Sequence, residues 1–190
     1  MKVMLQPIKL RLDGWAEPDG EGGLYLPNNF IKRLLRPKIT AWATADAWQF
    51  YNTFPEYMAD GTIDLDNDTF KMQLHDSSYT FAATHSVRAD LTNELATANG
   101  YTAGGATMTV TWTNSSGTVT FDSNDVSWTA SGGSIVARRA VIYDDTPSSP
   151  LDPLVCSSLL DNAPADVTAT NGNTFTVAIN SSGIFSLASA

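Results

Sequence analysis

Cysteine, histidine and positive charge are all scarce in this chain. The single cysteine, Cys156, excludes an intramolecular disulfide and any metal site built from four cysteines. Two histidines, His75 and His85, fall short of the three or four ligands that zinc takes, so no zinc centre is expected. No run approaches the about 18 apolar residues of a membrane helix. Gln6, Lys9 and Arg11 break up the apolar residues at the start of the chain, so no export leader is expected there. Basic side chains number 11 against 20 acidic ones. Phosphate binding needs clustered Lys and Arg, so that balance argues against nucleic acid as the partner.

What the chain does have is a core-forming composition. Its 190 residues are 43% apolar, enough for one sizeable core without a metal or disulfide. The charge divides near residue 40. Residues 1–40 carry seven basic side chains against four acids, whereas residues 41–190 carry four basic side chains against sixteen acids. A basic front and an acidic body suit contact between copies or docking on another charged protein. The chain therefore reads as an N-terminal attachment arm, 1–40, and a body, 41–190.

Within the arm, Ile8, Leu10 and Leu12 alternate with Lys9 and Arg11, the period of a half-exposed strand that Asp13 and Gly14 terminate. Phe30, Ile31, Leu34 and Leu35 form one stripe of a short helix beside Lys32, Arg33 and Arg36, and Pro37 stops it. So small a segment needs a partner surface for its apolar groups. The interface expected here consists of Ile8, Leu10, Arg11, Leu12 and the run Phe30, Ile31, Lys32, Arg33, Leu34, Leu35 and Arg36.

In the body, the spacing of Trp48, Tyr51, Phe54 and Met58 predicts a helix over 46–59 capped by Asp46; Pro55 inside it means a kink or a later start. After Gly61 the period becomes two. Phe70, Met72 and Leu74 alternate with polar residues, as do Met108, Val110 and Trp112, then Val119 and Phe121, then Val126 and Trp128. Residues 134–143 are apolar on both faces and predict a central strand covered on both sides. Strands at 154–160, 174–179 and 184–187 complete the pattern. The fold class is mainly β, a β-sandwich or jelly-roll-like body with one short helix behind an N-terminal arm.

Catalytic chemistry finds no support in the motifs. Asp64, Asp66 and Asp68 have the spacing that opens a calcium loop, but Thr69 replaces the required glycine and His75 the bidentate glutamate, so the stretch reads as an acidic turn. His75 and His85 read as exposed, on a strand edge and a loop. No Gly-x-Ser-x-Gly elbow occurs. Arg138 and Arg139, consecutive in the most apolar strand, are expected to point to opposite faces, one reaching an inner carboxylate or a sheet edge and the other facing a neighbouring subunit, with ordinary intrachain salt bridges the favoured account. Trp112 and Trp128 share the register of core residues and are expected to be buried, which weakens a glycan-stacking platform. Cys156 reads as a small buried hydrophobe. No catalytic, cofactor-binding or metal-binding residue is assigned, and no cofactor is expected.

One resemblance covers about residues 48–187. It rests on Tyr57-Met58-Ala59-Asp60-Gly61-Thr62-Ile63-Asp64-Leu65, on Asp68-Thr69-Phe70-Lys71-Met72-Gln73-Leu74, on Ala89-Asp90-Leu91-Thr92-Asn93-Glu94-Leu95, and on Asn99-Gly100-Tyr101. It continues in Val119-Thr120-Phe121-Asp122, Val126-Ser127-Trp128-Thr129-Ala130 and Ala140-Val141-Ile142-Tyr143-Asp144-Asp145-Thr146. These stretches resemble small structural proteins of the virions of tailed bacteriophages and prophages, in which a short helix and an acidic turn precede the first strand. The resemblance implies a non-enzymatic capsid decoration or cement protein on the outer surface of the head, made in the host cytoplasm. Its partners would be the major capsid protein and sister copies in a dimer or trimer, with no nucleic acid and no membrane. Residues 1–40 depart from that pattern and suit a specific attachment. A tail, neck or fibre-adaptor component of the virion, or a glycan-binding host-attachment module, is the alternative expectation.

Overall fold

The computed structural model describes residues 43–188 throughout and, ahead of them, only the backbone of two short stretches, Glu17–Pro18 and Leu24–Tyr25. The chain divides into two compact units, Met1–Trp42 and Ala43–Ala190. In the first, β1 (Glu17–Pro18) pairs antiparallel with β2 (Leu24–Tyr25). The expected strand at 8–12 and helix at 30–36, and with them every expected interface residue from Ile8 to Arg36, lie outside the described residues.

The second unit is mainly β, as its alternating sequence predicts. β3 (Gln49–Phe50) and α1 (Phe54–Ala59) lead into β4 (Phe70–His75), β5 (Ala106–Thr107), β6 (Val110–Ser115), β7 (Thr118–Ser123) and β8 (Val126–Thr129). β9 (Ile135–Ala137), β10 (Arg139–Asp144), β11 (Leu154–Leu159), β12 (Val167–Ala169), β13 (Thr174–Val177) and β14 (Phe185–Ala188) follow. The principal sheet has the order β3-β11-β10-β4-β5; a second has the order β14-β7-β6, and the pairs β12-β9 and β13-β8 complete the set. Every strand pairing is antiparallel. β6 and β7 meet at a tight turn in which Ser116 and Gly117 both have positive φ, the geometry whose twist suits a two-residue hairpin.

Both faces of the principal sheet are covered. Phe70, Met72 and Leu74 of β4 and Ala140 and Ile142 of β10 face the main core, where they join Phe121, Val126, Trp128, Ile135 and Phe175 from the smaller sheets. Phe70 meets Phe121 edge-on, with ring centroids 5.1 Å apart. Burying a large apolar side chain of this kind is worth roughly 1.5–3 kcal/mol. Val141 and Tyr143, the alternate residues of β10, form a second cluster with Tyr51, Tyr79 and Leu154 on the opposite face. β10 is thus the central strand that its two-faced pattern predicts.

Several expectations require correction. The helix over 46–59 is confined to α1, because Trp48 precedes an extended pair at β3; Pro55 sits in the first turn, where its missing N–H costs nothing, and Asp46 caps nothing. Tyr51 turns to the opposite cluster from Phe54, so their helical spacing is coincidental. The strand over 134–143 is broken at Arg138, whose N–H donates to the His75 carbonyl (2.8 Å) and whose carbonyl accepts from Leu160 (2.9 Å). The backbone of Arg138 stays bonded to both neighbouring strands across this irregularity, and its side chain pairs with Asp166 at 2.7 Å, while Arg139 begins β10 and donates to Gln49 at 3.1 Å. Thirdly, neither histidine is exposed as expected: His75 is fully buried and His85 half-buried.

Candidate functional site

His75 is buried because residues 76–105 fold back over the face of β4 that carries the polar members of its alternation. Gln73 and His75 lie on that face, and both are buried. Tyr79 covers the His75 ring, with centroids 4.4 Å apart. His75 Nδ1 lies 2.8 Å from the Thr92 carbonyl, which can only accept, so Nδ1 carries the proton. Nε2 then accepts from the Gln73 amide at 2.7 Å. That fixes the Gln73 side chain with its oxygen outward, where it accepts from Arg88 Nε at 2.9 Å.

Arg88 is the centre of the cluster. The single 3-10 turn Arg88–Asp90, closed by the Asp90 carboxylate on the amides of Ser86 and Val87, projects it over β4. Its guanidinium reaches Glu94 at 3.3 Å and Asp152 at 3.4 Å and lies over the Tyr143 ring, 5.2 Å from the centroid. Glu94 also accepts from the Tyr101 hydroxyl at 2.9 Å and from the Gly104 amide. Tyr101 in turn accepts from the Leu74 amide at 3.0 Å. Gly105, at φ +78°, lies in the turn that presents the Gly104 amide to Glu94, and a Cβ there would run into the Met72 carbonyl. A cleft of about 570 Å³ opens beside Arg88, walled by Leu91, Pro150 and Leu151.

The polar groups of this cleft engage one another. Arg88 is neutralised by two carboxylates and a glutamine oxygen. Burial lowers the His75 pKa from its ordinary value of 6.5, and both ring nitrogens are already engaged. A fully buried imidazole with no free lone pair offers no base to a substrate. The network instead ties three separate loops to β4, which is work that buried polar groups do when every member is satisfied.

A second cluster sits at the end of β10. Asp144 is fully buried, and its Oδ1 accepts from the Thr146 amide at 2.9 Å. Its Oδ2 has no hydrogen-bonding donor, and the neighbouring carboxylate is Asp68. Burial, reinforced by Asp68, pushes Asp144 up to about 7. The Asp64–Asp68 stretch is an acidic turn held by its own groups: Asp64 accepts from the Asp66 amide (3.0 Å) and the Asn67 side chain (2.9 Å), and Asp68 accepts from the Asp64 amide (2.7 Å). Among the described residues no three of His, Cys, Asp and Glu come together as a metal site.

A third feature is a groove of about 390 Å³. Met58 of α1, Trp112 of β6 and Leu187 of β14 line it, and Asp64 and Asp66 stand at its rim. Trp112 is only half-buried, contrary to the expectation from its register, because β6 is the edge of a three-stranded sheet and nothing among the described residues covers its end. Trp128, in the two-stranded pair beside the main core, is buried. Cys156 is buried too, and burial raises its thiol pKa well above the ordinary value.

Sequence reasoning missed Arg88, Gln73, Glu94, Asp152 and Asp144. Arg88 and Asp152 are 64 residues apart, and no local pattern joins them. Among the described residues no helix is long and apolar enough to cross a membrane. Compared with known proteins, the chain matches no family model, no curated protein sequence and no solved structure.

Proposed function

We propose that this protein is a non-enzymatic structural protein of a tailed-phage virion, a decoration or cement protein that bridges major capsid protein subunits through its basic front segment. The observation that carries the reading is the use of charge in the body. Lys71 pairs with Asp145, Arg88 with Glu94 and Asp152, and Arg138 with Asp166, while Arg139 donates to Gln49 and Ser157 and lies over Phe81. All four cations of the body are thereby engaged at home. Only four of its sixteen carboxylates meet a cation, and the rest, apart from the buried Asp144, give the body an anionic exterior. Such a surface is complemented by basic groups from outside the body, and residues 1–40 supply seven.

The resemblance of residues 48–187 to phage virion proteins supports the choice of particle. A β-rich body whose polar clusters are internally satisfied supports a role in burying surface between subunits, which raises the cost of separating them. Cryo-electron microscopy of the parent particle tests this. A regular array of copies over the head, lost when residues 1–40 are deleted while the body retains its circular dichroism, is the expected result. Copies confined to the tail or neck, or a truncated chain that still coats the head, would overturn it.

A further inference from the structure

We propose that the groove between α1 and the β14-β7-β6 sheet receives the segment Ile8–Leu12 of a second copy of this chain. The inference rests on the reading of the front segment as the attaching part of the molecule, and it names the surface to which that part binds.

The groove has the two properties that such a segment needs. Its floor is apolar, formed by Met58, Trp112 and Leu187, and Leu187 is 46% exposed although it lies in a strand at the sheet's edge. Leu187 pairs in register with Val119, two residues along from the Phe185–Phe121 pair inside the core. The apolar face of the sheet therefore runs past the core, and none of the described residues covers its end. Its rim is acidic. The Asn67 side chain and the Asp66 amide hydrogen-bond to Asp64 and lower its pKa, so that it stays ionised, and no cation of the body pairs with Asp64 or Asp66.

Ile8, Leu10 and Leu12 alternate with Lys9 and Arg11, so an extended backbone puts three apolar side chains on one face and two cations on the other. Laid extended along the groove, the segment sets Leu10 on Trp112 and Leu187, while the long side chains of Lys9 and Arg11, on its outer face, reach over to Asp64 and Asp66 at the rim. The Arg88 cleft offers none of this, because its carboxylates already hold a cation.

Cross-linking of the full-length chain tests the proposal. Cys156 is buried, so Leu10→Cys on one copy and Leu187→Cys on a differently tagged copy introduce the reactive thiols. A short bismaleimide is expected to join the two tagged copies at least about tenfold more efficiently than it joins Leu10→Cys to Leu151→Cys, which places an exposed thiol at the Arg88 cleft instead. Asp66→Lys in the Leu187→Cys copy is expected to lower the yield, and Lys9→Glu with Arg11→Glu in the Leu10→Cys copy to restore it. Equal yields at the two positions, linkage at Leu151→Cys alone, no linkage, or charge reversals without effect would overturn the groove. Linkage in solution without copies on the phage head would leave the groove standing and overturn the coat; a coat without linkage would do the reverse.

Discussion

The Arg88 cleft and the Trp112 groove are both concave, both partly apolar and both edged by carboxylates, yet they differ in what their charges meet. In the cleft Glu94 and Asp152 flank a guanidinium whose orientation is fixed from behind by Gln73 and His75. In the groove Asp64 and Asp66 face no cation of the body, and among the described residues no side chain covers Leu187 or the exposed part of Trp112. A carboxylate satisfied within the fold contributes to stability and has little left for a partner. A carboxylate left unmatched beside exposed apolar surface contributes little to stability and favours a basic, apolar visitor. The difference assigns the cleft to holding the body together and the groove to association.

Substitutions sharpen that division, and the largest effect belongs to the cleft. Arg88→Met leaves Glu94, Asp152 and the Gln73 oxygen without their donor, and is expected to lower stability by about 2–3 kcal/mol in urea unfolding. Gly105→Ala forces a Cβ toward the Met72 carbonyl at positive φ and is expected to cost about 2 kcal/mol by the same assay. Neither change is expected to alter association of the folded chain.

Asp144→Asn probes the buried carboxyl beside Asp68. The folded pKa of about 7 lies above the ordinary 3.8, so the folded state holds the proton more tightly, and the stability this confers is lost as pH rises from about 4 through about 7. Asparagine carries no proton to lose. The variant is expected to gain on the parent across that interval, reaching about 2 kcal/mol at pH 8 in thermal or urea unfolding. His75 works in the opposite sense. Its pKa is lowered in the folded state, so its contribution is complete above 6.5 and fades as pH falls below that value. Leu187→Glu is expected to change stability by less than about 0.5 kcal/mol, since the side chain is already half in water, while weakening self-association.

The sequence and the structure agree where one face of a strand decides its pattern. The alternation in β7 and β8 marks core and solvent faces correctly, and the apolar residues 140–143, within the strand predicted over 134–143, mark a strand with cover on both sides. β4 shows where the pattern is silent. Its alternate residues Gln73 and His75 are polar, as solvent-facing residues would be, yet they are buried under a loop that closes on Arg88 and Glu94. A buried polar network has the composition of an exposed face, and only the pairing of distant segments tells them apart. The helix over 46–59 fails for a related reason: spacing alone gives Tyr51 and Phe54 one side, whereas the turn at Asn52 and Thr53 sends them to opposite faces of the principal sheet. The groove was half legible. Its acidic rim stands out in the sequence, but its floor is assembled from Met58, Trp112 and Leu187, which are far apart along the chain.

Sedimentation velocity of the full-length chain over a range of concentration and ionic strength tests the division of charge most directly. The account predicts association at low salt that weakens as salt rises and that Lys9→Glu with Arg11→Glu abolishes, with the body still folded. A chain that stays monomeric throughout, or that associates equally well with those two charges reversed, would contradict it.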